Sequence, residues 1–480
     1  MNKLNGLKPQ KVFEYFEKIS SIPRGSGDTK KISEFCVEFA KEHNLEYYQD
    51  SSNNVIIYKN ATKGYEDSPA VILQGHLDMV CQKDEGVNKD FEKDGLDIYI
   101  DGDFIKAKGT TLGADNGIAV AYALAVLDSD ELQHPKLEAV FTTDEEIGML
   151  GAIDLDMSRL SGRRMINMDM EGEETITISC AGGSDFAVNI PLERKKVRKE
   201  AISVAVRGLK GGHSGVEINS GRVNANVLMA RILQKVKDYE GFCLEDYSGG
   251  DKGNAIPLLC KSVFVADDIK KAYECLTSYA QIIKEEISSR EPDFTFEINI
   301  LDNDERMVIA EELSRKLVYI VLCAPNGVVD MSREIDNLVE TSLNLGILKT
   351  ENDNITILHT LRSNKKSAMK FMEDKLRTYY ECVDCQITTG GHYPPWEFNS
   401  RSVMQGLYCE TAKDILGFTP ERMAIHAGLE CGVFSSALEG LDCISIGPDM
   451  YDIHTTSERL DIHSAKRMYE VVCEVLKKCK

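Results

Sequence analysis

Hydrophobic residues over the first 180 positions switch between helical and strand-like spacing. Apolar side chains recur every three or four positions over residues 10–20 and 29–43, which predicts two helices. A helix rich in small residues is predicted from Gly113 to Leu127. Short apolar runs predict strands at residues 55–58, 70–73, 137–142 and 165–168. This alternation indicates an α/β layer with a mixed, mostly parallel sheet that has helices on both faces.

The pattern changes near residue 186, where strand-like segments are each followed by a helical segment. The predicted elements are, in chain order, strand 202–206, helix 222–238, strand 294–300, helix 307–320, strand 355–361, helix 364–380 and strand 385–389. Repeated units of this kind are typical of an open sheet with helices on one face. This segment is therefore expected to form a separate α+β domain.

After Pro394 and Pro395 the α/β pattern returns. A helix over 403–416, a strand over 443–446 and a closing helix over 463–478 are predicted. The chain is thus expected to form a split α/β domain with a second domain inserted into it. The predicted boundaries are 1–185 and 396–480 for the split domain and 186–395 for the inserted one.

Composition narrows the classes of function. The 480 residues include 56 Lys and Arg against 78 Asp and Glu, a net charge of −22, which argues against general affinity for nucleic acids or anionic membranes. No run approaches the roughly 18 continuous apolar residues of a membrane span, and no signal peptide is recognisable at the N-terminus. The 14 cysteines are scattered singly, which favours buried reduced thiols and a cytoplasmic location.

The first chemical motif is Gln74-Gly75-His76-Leu77-Asp78, directly after an apolar strand. In extended backbone, His76 and Asp78 point to the same side of the strand. A metal-binding imidazole commonly has its other ring nitrogen held by a carboxylate, and this pair supplies both groups. Alone, the motif is weak, because most such pairs bind no metal.

Two acidic motifs follow. Asp115 lies in Gly113-Ala114-Asp115-Asn116-Gly117, where an aspartate also suits a turn or helix N-cap. Asp144, Glu145 and Glu146 follow the strand that ends at Thr142. Three neighbouring acids usually form a solvated loop. The functional interpretation is that one glutamate binds metal while its neighbour acts as general base.

Asp169 follows another strand, and His454 lies in a C-terminal loop. With the preceding motifs they give two histidines and three carboxylates, most of them at strand ends, where α/β sheets bind ligands. Nitrogen and oxygen ligands without thiolate suit zinc, and also manganese or cobalt. Five such side chains exceed the three protein ligands of a mononuclear catalytic zinc site, so two metal ions are predicted.

In their order along the chain, these motifs resemble those of the M20 family of zinc peptidases. Further motifs resemble its aminoacyl-histidine (Xaa-His, carnosine-type) dipeptidase branch, and the resemblance covers essentially the whole chain. The branch motifs are Gly211–Gly215, Gly253–Pro257, Gly391–Trp396 and His426–Gly432. The resemblance implies a dinuclear metallopeptidase, with two Zn²⁺ per subunit, that hydrolyses dipeptides.

The resemblance also implies a role for each site residue. Asp115 would bridge the two metals, His76 and Asp169 would complete one metal site, and Glu146 and His454 the other. Asp78 would orient His76, and Glu145 would act as general base and then general acid. From the inserted lid domain, His213 would polarise the scissile carbonyl or stabilise the oxyanion. Asn254 and Arg362 would help to hold the substrate, and Arg362 would pair with the C-terminal carboxylate of the substrate. A cis peptide bond is expected between Asp115 and Asn116.

Several alternatives stay open from the sequence. An aminoacylase, a deacetylase or a tripeptidase would share the fold and the metals, and a non-catalytic binding protein would share the fold. A Cys382–Cys385 redox pair is a weaker alternative, because a lone CxxC motif is unspecific. The dipeptide preference, the metal used in the cell, and the choice between a monomer and a homodimer through the lid are also open, as is the subunit from which His213 acts.

Overall fold

Residues 3–480 are described by the computed structural model of the chain, and they divide into two compact units. The first unit runs to Cys180 and also includes Trp396–Ala424 and Leu429–Lys480. The second unit comprises Ala181–Pro395 and the short segment Ile425–Gly428. The role of residues 186–395 as a lid stays a prediction.

Both units combine helices with strands. In chain order, the elements up to Cys180 are α1 (Gln10–Ser20), α2 (Lys30–Glu42), β1 (Glu46–Gln49), β2 (Val55–Lys59), β3 (Val71–His76), β4 (Ile98–Asp101), β5 (Phe104–Ala107), α3 (Ala114–Leu127), β6 (Leu137–Thr142), α4 (Leu150–Asp154), β7 (Arg164–Asn167) and β8 (Thr175–Cys180). From Ala181 to Pro395 they are β9 (Gly182–Pro191), β10 (Arg194–Arg207), β11 (Gly212–His213), α5 (Ala225–Leu233), β12 (Cys243–Gly249), β13 (Ala255–Ile256), β14 (Cys260–Val265), α6 (Ile269–Ile287), β15 (Thr295–Ile309), α7 (Glu311–Cys323), β16 (Gly327–Met331), β17 (Val339–Thr350), β18 (Asn354–Ser363), α8 (Lys366–Tyr380) and β19 (Gln386–Tyr393). The remainder holds α9 (Val403–Leu416), β20 (Glu421–Ile425), α10 (Glu430–Ala437), β21 (Asp442–Ser445), β22 (Met450–Tyr451), β23 (Arg459–Asp461) and α11 (Ile462–Lys478).

The first unit is built on an eight-stranded mixed sheet in the order β1-β2-β6-β3-β7-β21-β8-β20. Its central strands β6, β3, β7 and β21 are parallel, while β1, β2 and β8 pair antiparallel. Every residue of β3 is buried, as expected for a strand covered on both faces. The predicted mixed α/β fold is confirmed. A smaller sheet, β22-β23-β5-β4, belongs to the same unit.

Helix α3 is apolar on nearly all sides and packs against β3 and α1. Its approach to β3 is close at Gly75, where a Cβ atom would lie 2.8 Å from the Ala119 Cβ. Gly113 precedes the helix with a φ of +63°, a conformation that glycine adopts readily. The backbone at Asp115 and Asn116 is not yet helical, and the peptide bond between them is cis, as the resemblance implies.

The second unit contains an antiparallel nine-stranded sheet in the order β15-β10-β14-β12-β17-β18-β9-β19, with β16 paired to β17. Its core lies between this sheet and helices α5 to α8. The predicted helix over 307–320 is wrong at its start. The residues up to Ile309 continue β15 and pair with Arg194 to Lys196 of β10, so the helix begins at Glu311. The predicted helix over 222–238 is shorter, since α5 spans only Ala225–Leu233.

Among residues 3–480, no helix is both long enough and apolar enough to cross a membrane. All fourteen cysteines in this range are free thiols. Cys382 and Cys385 lie between α8 and β19, where burial raises the pKa of the Cys385 thiol. A raised thiol pKa is the opposite of what a reactive CxxC motif needs.

Candidate metal centre and substrate-binding groups

The predicted ligands of the first unit follow the carboxyl ends of neighbouring parallel strands. His76 is the last residue of β3, Asp169 follows β7 by two positions, and Glu146 lies four positions after β6. Because β6, β3 and β7 are adjacent and parallel, their carboxyl ends meet at one edge of the sheet. Asp115 stands at the start of α3, directly beside β3.

Asp115 stands between the two predicted histidine ligands. Its Oδ1 is 3.1 Å from His76 Nε2, and its Oδ2 is 3.1 Å from His454 Nε2. The same nitrogen of His76 is 3.3 Å from Asp169 Oδ1, and that of His454 is 3.1 Å from Glu146 Oε1. The structure therefore brings all five predicted ligands together, with one Asp115 oxygen facing each histidine.

Asp78 lies next to His76, on the side of the ring that does not face Asp115. The Asp78 Oδ1 atom is 3.3 Å from His76 Nδ1. The carboxylate also accepts hydrogen bonds from the backbone N–H groups of Glu145 (3.1 Å) and Glu146 (3.3 Å) and from the Ser26 hydroxyl (2.8 Å). One buried carboxylate thus faces the His76 ring and binds the backbone of the two glutamates.

The electrostatics of the site follow from crowding of acids in a buried space. Although burial acts in the other direction, hydrogen bonds from His454 and His76 hold the pKa of Asp115 low. Burial, together with Asp115 and Glu430, raises the pKa of Asp169 to about 8. Burial, Asp169 and Glu430 also raise the pKa of Glu145 well above its ordinary value, against the opposing effect of His76. Hydrogen bonds to Asp115 and Glu146 raise the pKa of His454 to about 10.

This donor set fits divalent cations. His76, Asp115 and Glu146 each offer a ligand atom, and these atoms all lie within 4.8 Å of one another. Carboxylate and imidazole ligands without thiolate suit zinc, manganese or cobalt. With Glu145 and Asp169, four carboxyl groups surround only two imidazoles, and bound cations would favour the ionised form of the two groups whose pKa is raised.

The predicted substrate-binding groups lie in the second unit. His213 in β11 pairs with Ala255 in β13, so that the His213 and Asn254 segments are joined by a short ladder. The Nδ1 atom of His213 accepts two backbone N–H groups, from Gly215 and Val216, each at 3.2 Å. This arrangement places the proton of the neutral ring on Nε2 and makes that nitrogen a donor. Burial and the charge of Arg362 lower the pKa of His213.

Arg362 lies near His213 in the same unit. A Cβ atom on Gly215 would come within 2.9 Å of His213 Cε1 and 3.1 Å of Arg362 Nε, so both side chains flank this glycine. Arg362 Nη1 donates to the Tyr393 hydroxyl at 2.7 Å. His426 begins the motif His426–Gly432, but no role of its own could be assigned to it from the sequence. It contacts the Ser342 hydroxyl through Nε2 at 2.7 Å, and its carbonyl oxygen also faces Gly215.

Asn116 is a second residue whose role the sequence alone did not reveal. Its Oδ1 accepts the backbone N–H of His76 at 3.1 Å, and its Nδ2 donates to the carbonyl of Met168 at 2.8 Å. The side chain therefore ties the His76 strand to the residue before Asp169. In the sequence, the only indication of a role for Asn116 is its position directly after Asp115. That position does not reveal the hydrogen-bond partners of its side chain.

A buried chain of polar side chains supports the same strand ends. The Glu430 carboxylate accepts from Thr142 Oγ1 at 2.7 Å and from the Gln74 amide, and the Gln74 carbonyl accepts from Asn167. Asn167 in turn accepts from Ser445. Gln74 and Asn167 each stand two positions before a predicted ligand, so this chain crosses four strands beneath the site.

Comparison with known proteins agrees with the geometry. The model of peptidase family M20/M25/M40 matches residues 72–478. The chain is 36% identical to the cytosol non-specific dipeptidase of Escherichia coli (strain K12) over 481 residues, 99% of each chain. It is similar to the crystal structure of aminoacylhistidine dipeptidase from Vibrio alginolyticus, with a TM-score of 0.91 and 35% identity over 99% of this chain and 98% of that one.

A more distant structure shares the fold alone. The aminopeptidase PepT from Bacillus cereus has a TM-score of 0.58 at 15% identity, over 98% of this chain and 99% of its own. The family match covers most of the chain, and the two dipeptidases match it almost from end to end. The chain is a member of peptidase family M20/M25/M40.

Proposed function

We propose that this protein is a dipeptidase that uses two zinc ions to activate the water that cleaves the peptide bond. The observation that carries the proposal is Asp115, which presents one carboxylate oxygen to His76 and the other to His454. Full-length similarity to two dipeptidases supports the choice of substrate class. The preference for Xaa-His substrates such as β-alanyl-histidine rests on the Vibrio alginolyticus relative, and the Escherichia coli relative favours a broader range.

In the proposal, the metal ligands divide between two ions. His76 and Asp169 hold one ion, Glu146 and His454 hold the other, and Asp115 binds both. Zinc is proposed for both ions, with manganese or cobalt as substitutes. When bound, such ions act as Lewis acids and lower the pKa of coordinated water from about 15.7 towards 7. Asp78 keeps the His76 ring in a fixed orientation by facing its second nitrogen.

The proton transfers are assigned to Glu145. Its raised pKa suits a group that accepts a proton from the attacking water and then delivers it to the leaving amine. His213 donates from Nε2 to the oxygen of the scissile carbonyl as negative charge develops there. Asn254 holds the substrate, and Arg362 pairs with its free carboxylate, a task that suits the guanidinium fork.

A cellular location and an oligomeric state are also proposed. A cytoplasmic location is proposed because the Escherichia coli relative is a cytosolic enzyme by name. A homodimer through residues 186–395 is the proposed assembly, and size-exclusion chromatography with light scattering decides between it and a monomer. The substrate partner is a small peptide.

A hydrolysis panel with metal analysis tests the proposed function. The protein is stripped with a chelator, reloaded with Zn²⁺, Mn²⁺ or Co²⁺, and assayed on dipeptides, tripeptides and N-acyl amino acids. We expect two metal ions per chain and hydrolysis of dipeptides that chelator abolishes and metal restores. Preferential cleavage of N-acyl amino acids would identify an aminoacylase or deacetylase, and of tripeptides a tripeptidase. Metal binding without hydrolysis of any class would identify a binding protein.

A further inference from the structure

A buried carboxylate outside the ligand set holds the turn that carries Asp115. Glu458 is 2% exposed, and both of its oxygens accept backbone N–H groups at the start of α3. The four donors are Leu112 (2.7 Å), Gly113 (2.9 Å), Ala114 (2.8 Å) and Asp115 (3.5 Å). The N–H groups of Gly113, Ala114 and Asp115 stand at the helix start, where backbone donors lack partners within the helix, and a carboxylate suits them.

Glu458 also lies at the end of the segment that carries His454. That segment folds into a tight turn, in which the Thr455 N–H donates to the Asp452 carbonyl and the Glu458 N–H donates to the Thr455 carbonyl, both at 3.2 Å. His454 itself has a φ of +62° within this turn. The Glu458 side chain therefore connects the His454 turn directly to the Asp115 turn.

Arg24 extends this connection to the third ligand segment. Its side chain is 2% exposed, and Nη1 donates to the carbonyls of Leu77 (3.0 Å) and Asp78 (2.9 Å), next to His76. Nη2 donates to the carbonyl of Gly113. The peptide group of Gly113 is thus held on both sides, with its N–H on Glu458 and its carbonyl on Arg24.

We propose that Glu458 is a positioning residue that, through Gly113 and Arg24, sets the spacing of His76, Asp115 and His454. The inference rests on the proposed dinuclear metal site, since it explains what fixes the ligands of that site. Metal ligands must be held within about 0.5 Å of their productive positions, and groups that orient ligands typically change metal affinity by about 10–100-fold. Glu458 is not one of the proposed ligands, and its carboxylate binds the backbone of the segment that carries Asp115.

Glu138 provides a matched control in the same unit. It is fully buried, and its carboxylate accepts backbone N–H groups from Ser161 and Gly162 at 3.0–3.1 Å. It lies near the amino end of β6, at the opposite end of the strand from Glu145 and Glu146. Glu138→Gln should therefore disturb the fold as Glu458→Gln does, without disturbing the ligand segments.

The test measures metal binding directly. Wild type, Glu458→Gln and Glu138→Gln are stripped and titrated with Zn²⁺ by calorimetry and with Co²⁺ by visible absorption, with melting temperatures recorded in parallel. The glutamine amide replaces one acceptor oxygen with a donor, which faces N–H groups. We expect Glu458→Gln to weaken metal binding by about 10–100-fold and to change the Co²⁺ spectrum. Glu138→Gln should lower the melting temperature alone.

The outcomes separate this inference from the proposed function. Wild-type affinity and an unchanged Co²⁺ spectrum in folded Glu458→Gln would overturn the positioning role and leave the proposed function intact. Wild-type protein that binds no metal would overturn both. If Glu458→Gln does not fold, Glu458→Asp decides, because it keeps the charge and shortens the reach. Weakened metal binding in that variant supports the role, and wild-type binding overturns it.

Discussion

At the residue scale, Glu145 is set apart from its acidic neighbours by its surroundings. Its backbone N–H is bound by Asp78, and burial, with the nearby Asp169 and Glu430, favours its protonated form. We predict that Glu145→Gln keeps the metal content of the wild type but lowers kcat by about 10²–10⁴-fold, because the proton acceptor is lost. Metal analysis and steady-state kinetics on a dipeptide measure both quantities.

Asp144 provides the control for that variant. Its carboxylate accepts the backbone N–H of Gly27 at 2.7 Å, and its φ of +54° is a conformation that asparagine tolerates. Asp144→Asn should retain kcat within a few-fold. Turnover that survives in Glu145→Gln would refute the assignment of the general base.

Arg362 is expected to recognise the carboxylate end of the substrate. Its guanidinium is oriented by the Tyr393 hydroxyl, and charge-assisted hydrogen bonds contribute about 1.5–3 kcal/mol. We predict that Arg362→Ala lowers kcat/KM about 10²-fold on dipeptides with a free carboxylate and much less on their C-terminal amides. Tyr393→Phe, which removes the orienting hydroxyl but keeps the charge, should have a smaller effect. Equal losses on acid and amide substrates would exclude Arg362 from this role.

Single residues differ in how far their roles could be predicted from the sequence. The five proposed ligands could be selected because each occurs in a short motif, most of them just after a strand. The structure places each of them within 3.3 Å of at least one other of the five. Asn116, Glu430 and Glu458 could not be assigned, since their partners lie about 40 to 350 positions away in the chain. A buried polar side chain gives no periodic pattern, so only the fold reveals what it binds.

At the element scale, the packing of α3 on β3 decides where Asp115 lies. A Cβ atom on Gly75 would approach Asn116 Oδ1 to 2.4 Å and Ala119 Cβ to 2.8 Å. We predict that Gly75→Ala pushes α3 away from β3, costs about 1–3 kcal/mol of stability and weakens Zn²⁺ binding, because the bond from His76 N–H to Asn116 is strained. Thermal unfolding and zinc titration measure the two effects.

Gly406 is the matched control for this glycine. It lies inside α9, and nothing would lie within 4 Å of a Cβ atom there. Gly406→Ala should stabilise the protein by about 0.5–1 kcal/mol and leave Zn²⁺ binding unchanged. Zinc binding by Gly75→Ala at wild-type affinity would mean that the contact between α3 and β3 does not determine the ligand geometry.

His359 connects β18 to α8 inside the second unit. Its Nε2 is 2.7 Å from the Tyr380 hydroxyl, and burial lowers its pKa to about 3. The unfolded chain binds a proton at this residue below about pH 6.5, whereas the folded protein does not until about pH 3. The free energy of unfolding of this unit therefore falls as the pH drops below 6.5, by up to about 1.4 kcal/mol per pH unit from this residue.

Replacing both partners of this pair tests the pH dependence. His359→Leu combined with Tyr380→Phe removes the titrating group and its hydroxyl partner, so we expect a shallower loss of stability between pH 6.5 and pH 4.5. Urea unfolding at several pH values measures the slope. His426 keeps part of the dependence, because burial lowers its pKa to about 3 as well.

Element boundaries were harder to predict than element types. The small-residue helix from Gly113 was predicted to within one residue, because burial on all sides leaves a long apolar run. The strand predicted over 70–73 runs on to His76, because its last three residues are buried although two of them are polar. The helix expected from residue 307 was wrong because Met307, Val308 and Ile309 suit a strand as well as a helix. Their pairing with β10, more than 100 residues away, decides between the two.

At the scale of the whole molecule, the proposed catalytic residues and the proposed substrate-binding residues belong to different units. All five predicted metal ligands, with Glu145 and Asp78, belong to the first unit. His213, Asn254 and Arg362 belong to the second. A change in the pattern of predicted strands and helices near residue 186 and the Pro-Pro pair at 394–395 were visible in the sequence. The return of residues 425–428 to the second unit was not, because a four-residue segment is too short to show a hydrophobic pattern of its own.

Metal removal should therefore affect the two units differently. A ligand that binds only the folded state stabilises it by about 4 kcal/mol at a thousand times its Kd. We predict that chelator increases hydrogen exchange around β3, the start of α3, the loop after β6 and the His454 turn. The nine-stranded sheet should exchange at its original rate. Hydrogen-exchange mass spectrometry of the full chain, with and without Zn²⁺, measures both units in one sample. Equal destabilisation of both units by chelator would mean that the ions are not confined to ligands of the first unit.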